Sequence, residues 1–165
     1  MNVSRKTIPV RPLSSLKLPP DTLRELRGVA AAATTAAVSS TLLLTGSKVS
    51  TAAAAEALAH ETGRELVRVD MAQIGSRSIE ETERDLDRLF ATVDPASSIL
   101  FFDEADALFG KRTSVEESHD RYAGVELSWF LERLESFPTL AIFARRSHDE
   151  PPSSCHFWND IRLPR

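Results

Sequence analysis

Cysteine is nearly missing from this chain: Cys155 stands alone, which excludes an internal disulfide framework and a cysteine-rich zinc site. That usage fits a reducing cytoplasm. A basic excess is missing too. Lys and Arg number 20 against 24 Asp and Glu, and the formal net charge of -4 argues against a nucleic-acid surface, which needs positive charge to displace counterions. Strongly apolar runs of membrane-spanning length are also wanting. Residues 28–47 are uncharged for long enough, but they are mostly Ala, Thr and Ser, with only Leu42, Leu43 and Leu44 strongly apolar. They read as an alanine-rich helix leading into a short buried strand. Residues 1–18 mix Arg5, Lys6, Arg11 and Lys17 with prolines and lack the apolar core of a signal peptide, so they read as a flexible arm. Residues 19–165 are long enough for one domain with one sizeable core.

Helical and strand-like segments alternate along that domain. Pro19, Pro20 and Asp21 signal the start of a leading helix, in which Leu23, Leu26 and Ala30 recur at helical spacing to about Ala37. Residues 41–45 form a short apolar run ending at Gly46, as a strand buried on both faces requires. A second helix is predicted from about Thr51 to His60, with Gly63 as its stop. Residues 65–70 read as a strand. Ser78 and Glu81 make a capping box for a helix with Leu86, Leu89, Phe90 and Val93 on one face, closed by Asp94 and Pro95. Residues 98–102 are another apolar strand, running into Asp103 and Glu104. A second capping box, Ser114 and Glu117, opens a long helix to about Ser136, and residues 139–144 and 157–163 supply two further strands. Such alternation predicts a parallel sheet with helices on both faces. Trp129, Phe130 and Phe137 are expected in the core or at an interface.

The most informative segment is residues 98–112, SILFFDEADALFGKR. An apolar strand ending in two acids is the Walker B arrangement, in which the strand's carboxyl end points both carboxylates into a crevice. There the first acid, Asp103, would serve a magnesium ion, and the second, Glu104, would polarise an attacking water. DEADALFGKR, followed by Ser118-His119-Asp120-Arg121-Tyr122-Ala123, closely resembles a group of bacterial AAA+ ATPases, which belong to the P-loop NTPases. The resemblance runs from about Leu18 to Pro164. It implies a three-layer αβα core with a five-stranded, mainly parallel sheet, ATP and magnesium as cofactors, and assembly with other AAA+ subunits. His119, Asp120 and Arg121 occupy successive helix positions that do not converge, and are read as structural.

Against that family the chain departs at several working positions. The family's phosphate loop reads G-x-x-G-x-G-K-[ST], so that main-chain N–H groups cradle phosphate. This chain has Gly46, Ser47, Lys48, Val49, Ser50, Thr51 and Ala52. Anchored on the following AAAEALA, the essential lysine falls on Thr51 and the magnesium-binding hydroxyl on Ala52, while Lys48 lies three residues too early to come off the helix start. Val49 is a poor substitute for a glycine. Ser50 and Thr51 are read as a helix cap. Ser78 stands where the family's threading loop has an aromatic, Arg146 where an Asn orients water, and Cys155 and His156 where arginines reach a neighbour's nucleotide. Such an arginine is worth about 10³ to 10⁵ in rate in related systems. The helical lid expected after the last strand is missing before Arg165, and the segment ahead of the first family strand is shortened.

These losses fall on separate parts of one mechanism and predict a degenerate family member, with Glu104 a vestigial catalytic acid and Asp103 a doubtful magnesium ligand. Gly46, Ser47, Lys48, Ser50 and Thr51 are then a degenerate phosphate loop, and neither ATP nor magnesium is expected to bind. The expected role is an assembly or regulatory subunit in the cytoplasm, with a protein partner or AAA+ subunits, possible homo-oligomers, no nucleic acid and no membrane. Two alternatives stay open. The chain is an ATP-binding, weakly hydrolysing AAA+ ATPase, or its acids survive because they bind a metal or hold a hydrogen-bond network at the strand end.

Overall fold

The computed structural model describes residues 4–35, 39–75, 78–106, 129–146, 157 and 159–164. In chain order they form β1 (Ser4–Thr7), a single 3-10 turn (Leu13–Ser15), α1 (Pro20–Thr35), β2 (Ser40–Thr45), α2 (Lys48–Thr62) and β3 (Glu65–Asp70). Then come α3 (Met71–Gly75), α4 (Ile79–Thr92), β4 (Ser98–Asp103), a helical segment at residues 129–135, β5 (Leu140–Arg145) and β6 (Asn159–Arg162). The capping box at Ser114 and Glu117, the segment 118–123, Cys155, His156 and Trp158 lie outside the described residues.

Local chemistry accounts for the helices. Pro20 is tolerated in a first turn whose N–H groups have no acceptor within the helix, and Asp21 beside it favours the positive end of α1. Leu26, Val29, Ala30 and Ala33 follow at the spacing that makes one buried stripe. Ser47 caps α2 by accepting from the Ser50 N–H, and Gly63 closes it in the left-handed region at φ 68°. Ser78 caps α4 in the same way, accepting from the Glu81 N–H, and Leu86 and Leu89 bury its apolar face. Asp94 takes over just beyond α4, its carboxylate accepting from the Ala96 N–H and the Ser97 hydroxyl.

The strands form one six-stranded sheet in the order β1-β3-β4-β5-β2-β6. The last five run parallel, as the alternation of helix and strand predicts, and β4 and β5 are buried along their whole length. Alternate residues feed two cores. On one face Leu42, Leu44, Ile99, Phe101 and Ile142 pack beneath α1 and α2. On the other, Leu43, Leu100, Phe102 and Phe143 meet α4 and the 129–135 helix. Phe130 joins Phe102 edge-on at 4.9 Å and Phe90 meets Phe137 at 5.1 Å, so the aromatics of the 129–137 region belong to the core, with Trp129 packed at its margin.

Three elements differ from the sequence expectation. The sheet has a sixth strand, because part of the supposed arm is ordered: β1 pairs antiparallel with β3, Ser4 opposite Val69 and Thr7 opposite Leu66. Leu13 is buried, and its N–H donates to Glu61 on α2 at 3.1 Å. Short polar strands such as SRKT carry little hydrophobic signal and are held by main-chain pairing. Secondly, α2 begins at Lys48 rather than near Thr51, since Ser47 supplies the cap. The expected end of α1 near Ala37 lies outside the described residues. Finally, β6 covers only Asn159–Arg162, with Phe157 diverted onto the Phe143 ring at 5.3 Å. Among the described residues no helix is long and apolar enough to cross a membrane.

Candidate functional site

The carboxyl ends of β2, β4 and β5 and the start of α2 meet at one corner of the sheet, the place where parallel α/β sheets bind ligands. Gly46, Ser47, Lys48, Ser50, Thr51, Asp103 and Glu104 all lie there. Only Gly46 and Ser47 separate the end of β2 from the first residue of α2. The Gly46 N–H donates to the Arg145 carbonyl at 2.9 Å, and Leu163 returns a bond to the Thr45 carbonyl at 2.8 Å, so the connection is drawn tight between β5 and the chain after β6. Ser47 occupies the Ser50 N–H through its side chain and the Thr51 N–H through its carbonyl. The Thr51 hydroxyl is turned back onto the Ser47 carbonyl at 3.0 Å, and Thr51 is buried.

Lys48 requires a correction. Placed by the sequence reading ahead of the helix and out of reach, it is the first helical residue, and its Nζ lies 3.0 Å from Glu104 Oε1. Arg146 reaches the same oxygen from the end of β5 at 3.6 Å. Glu104 itself sits at φ 57°, a left-handed conformation uncommon for a residue with a Cβ. Two contacts hold it there. Its N–H donates to Asp103 Oδ1 at 2.9 Å, and the next residue, Ala105, donates to the Ala144 carbonyl at 2.8 Å. Asp106 then accepts from the Arg146 N–H at 2.9 Å, stitching the ends of β4 and β5 together.

Asp103 is 4% exposed, and its partner is a residue that the sequence reading passed over. Arg68 on β3 donates from Nε to Asp103 Oδ2 at 3.0 Å and from Nη2 to the same oxygen, while its guanidinium rests 5.7 Å from the centre of the Phe101 ring. One signal was there to be read. In ELVRVD the alternation puts Leu66, Arg68 and Asp70 on one face of a strand whose other face carries Val67 and Val69, so Arg68 points toward the α2 side of the sheet. Arg145, also unremarked, is 3% exposed and donates to the Thr45 hydroxyl at 3.1 Å.

The space left around these groups divides in two. Between Gly46, Lys48, Thr51, Asp103, Glu104 and Arg145 there is a hollow of about 10 Å³, room for about one water. A cleft of about 510 Å³ also reaches Lys48, Arg68 and Asp103, floored by Leu66 and Phe101 and walled by Glu56 of α2 and Arg5 of β1.

Helices on both faces of a mainly parallel sheet, with paired acids at a central strand end and a helix starting directly opposite, define the αβα core of the P-loop NTPases. Within that class, the sequence model of the ATPase family associated with various cellular activities (AAA) matches residues 42–155, and the chain belongs to that family. No curated protein matches it. Members of the family in general bind nucleotide with magnesium.

Proposed function

We propose that this chain is a non-hydrolysing member of the AAA family, serving as an assembly or regulatory subunit in the cytoplasm beside other protein subunits. One observation carries the reading: both acids of the strand end are already held by cations of the same chain, Asp103 by Arg68 and Glu104 by Lys48. Magnesium does not fit beside them, because Asp103 Oδ2 takes two donors from Arg68 and Oδ1 takes the Glu104 N–H. Phosphate is no better served. Gly46 and Ser47 are too short a connection to wrap it, and Ser47 uses the Ser50 and Thr51 N–H groups.

Calorimetry with ATP or ADP and magnesium is expected to give no saturable binding up to about 1 mM, whereas a Kd at or below about 100 μM, roughly 5 kcal/mol of site energy, overturns the reading. The second reading, a nucleotide-binding and weakly hydrolysing enzyme, draws on Lys48, whose position in the first turn of α2 is where a phosphate-neutralising charge is useful. Under it, Lys48→Ala abolishes the binding seen. The assembly role is tested in parallel by sedimentation at tens of micromolar, alone and with candidate AAA subunits; a strict monomer that engages none of them defeats it.

A further inference from the structure

We propose that Arg68 is the resident cation of this site, a covalently tethered replacement for the divalent ion that the first acid of such a strand end serves. The proposal does not rest on the reading above, since a chain that bound nucleotide without metal would keep the same tethered cation.

Burial sets the requirement. A carboxylate as enclosed as Asp103 must be neutralised, by a metal, a proton or a basic side chain. The backbone decides which. Parallel pairing sets Arg68 opposite Phe101 and Asp70 opposite Asp103, and the pleat turns Arg68, Asp70, Phe101 and Asp103 to the same face. Arg68 therefore stands one step back from two carboxylates at neighbouring strand ends, with the Phe101 ring beneath its guanidinium. Its two donors close on Asp103 Oδ2. A planar guanidinium holds that oxygen at fixed geometry and cannot be diluted away, whereas a divalent ion would have to displace it and shed water as well.

Take Arg68 away and the same geometry describes something different. Asp103 is then a buried carboxylate without its guanidinium, with Oδ2 open to a divalent ion, although among the described residues no ready group of three metal ligands stands there and Asp70 Oδ1 is taken by the Ala72 and Gln73 N–H groups.

The test is Mn²⁺ binding to the nucleotide-free protein, followed by electron paramagnetic resonance of the free ion. Wild type is expected to leave the ion free, and Arg68→Gln to bind it at least about tenfold more tightly. Asp103→Asn in the Arg68→Gln background should abolish that gain, a result that a merely structural role for Arg68 would not produce. Arg68→Lys keeps the charge but offers one ammonium for two donors, and is expected to fall between wild type and Arg68→Gln. If Arg68→Gln does not fold, Arg68→Lys decides by the same comparison with wild type. Wild-type binding as tight as that of the variants overturns the proposal, and so does the absence of any gain in the variants that fold.

Discussion

At Gly46 an added Cβ would lie 2.9 Å from the Ser50 hydroxyl and 3.1 Å from Leu163 Cβ. The glycine between β2 and α2 is therefore required by packing, because the chain after β6 crosses directly over it. Gly46→Ala is expected to cost about 1–3 kcal/mol in urea unfolding, the usual range for an extra methyl in a tight place. Removing the hydroxyl with Ser50→Ala should recover only part of that, since the Leu163 contact remains. Full recovery would mean that the hydroxyl alone set the limit. Glu104 sits at the other extreme. Its left-handed backbone costs about 1–2 kcal/mol for a residue with a Cβ. Its ion pairs to Lys48 and Arg146 involve side chains 47% and 64% exposed, so solvent screening holds them to about 1 kcal/mol or less each. The conformation is thus sustained by main-chain bonds at Glu104 and Ala105 as much as by charge.

Two glycines, in α1 and at the end of α2, set helix stability in opposite directions. Neither Gly28 nor Gly63 has an atom within 4 Å of where a Cβ would go, so backbone conformation alone decides what a methyl does. Gly28 lies inside α1, where Ala is expected to add about 0.5–1 kcal/mol. Gly63 has φ 68°, and there the same change should remove about 1–2 kcal/mol. Denaturant midpoints for the pair read both signs, and a loss at Gly28 or a gain at Gly63 would contradict the account. The Gly63 stop and the Ser78 cap were legible in the sequence because each rests on one residue with one local reason. The start of α2 was not. Ser47, Ser50 and Thr51 are all competent caps, and tertiary pull on Gly46 from Arg145 chose among them. Lys48 was misplaced by the same error. The acids Asp103 and Glu104 were legible because the apolar run of β4 ends on them, but their cationic partners come from β3, α2 and β5, and nothing in local spacing announces a contact between Arg68 and Asp103, 35 residues apart. Likewise β1 has no apolar pattern of its own and exists because β3 would otherwise be an open edge.

Across the whole molecule, charge and topology are arranged around the middle of the sheet. β1 closes one side with Arg5 and Lys6 on an edge strand, residues that discourage a further strand from adding there. Past it, Ile8 and Val10 are 77% and 85% exposed, single apolar side chains of an ordinary surface kind. The strand next to the opposite edge is another matter. β2 lies between β5 and β6, and the bond between Thr45 and Arg145 spans 100 residues of sequence. During synthesis at about 5–20 residues per second, Leu42, Leu43 and Leu44 leave the ribosome roughly 5–20 s before the strand that will shield them exists. Until then a strand whose last four residues are buried in the finished protein is an unpaired apolar segment. Ribosome-bound chains arrested before residue 139 are expected to be cut readily by protease near residues 40–45 and full-length chains tethered through an added C-terminal linker to resist, and equal resistance at both lengths would show that the early part of the chain finds shelter by itself. The waiting period, rather than the stability of the final sheet, then sets how much chaperone assistance each newly made molecule draws.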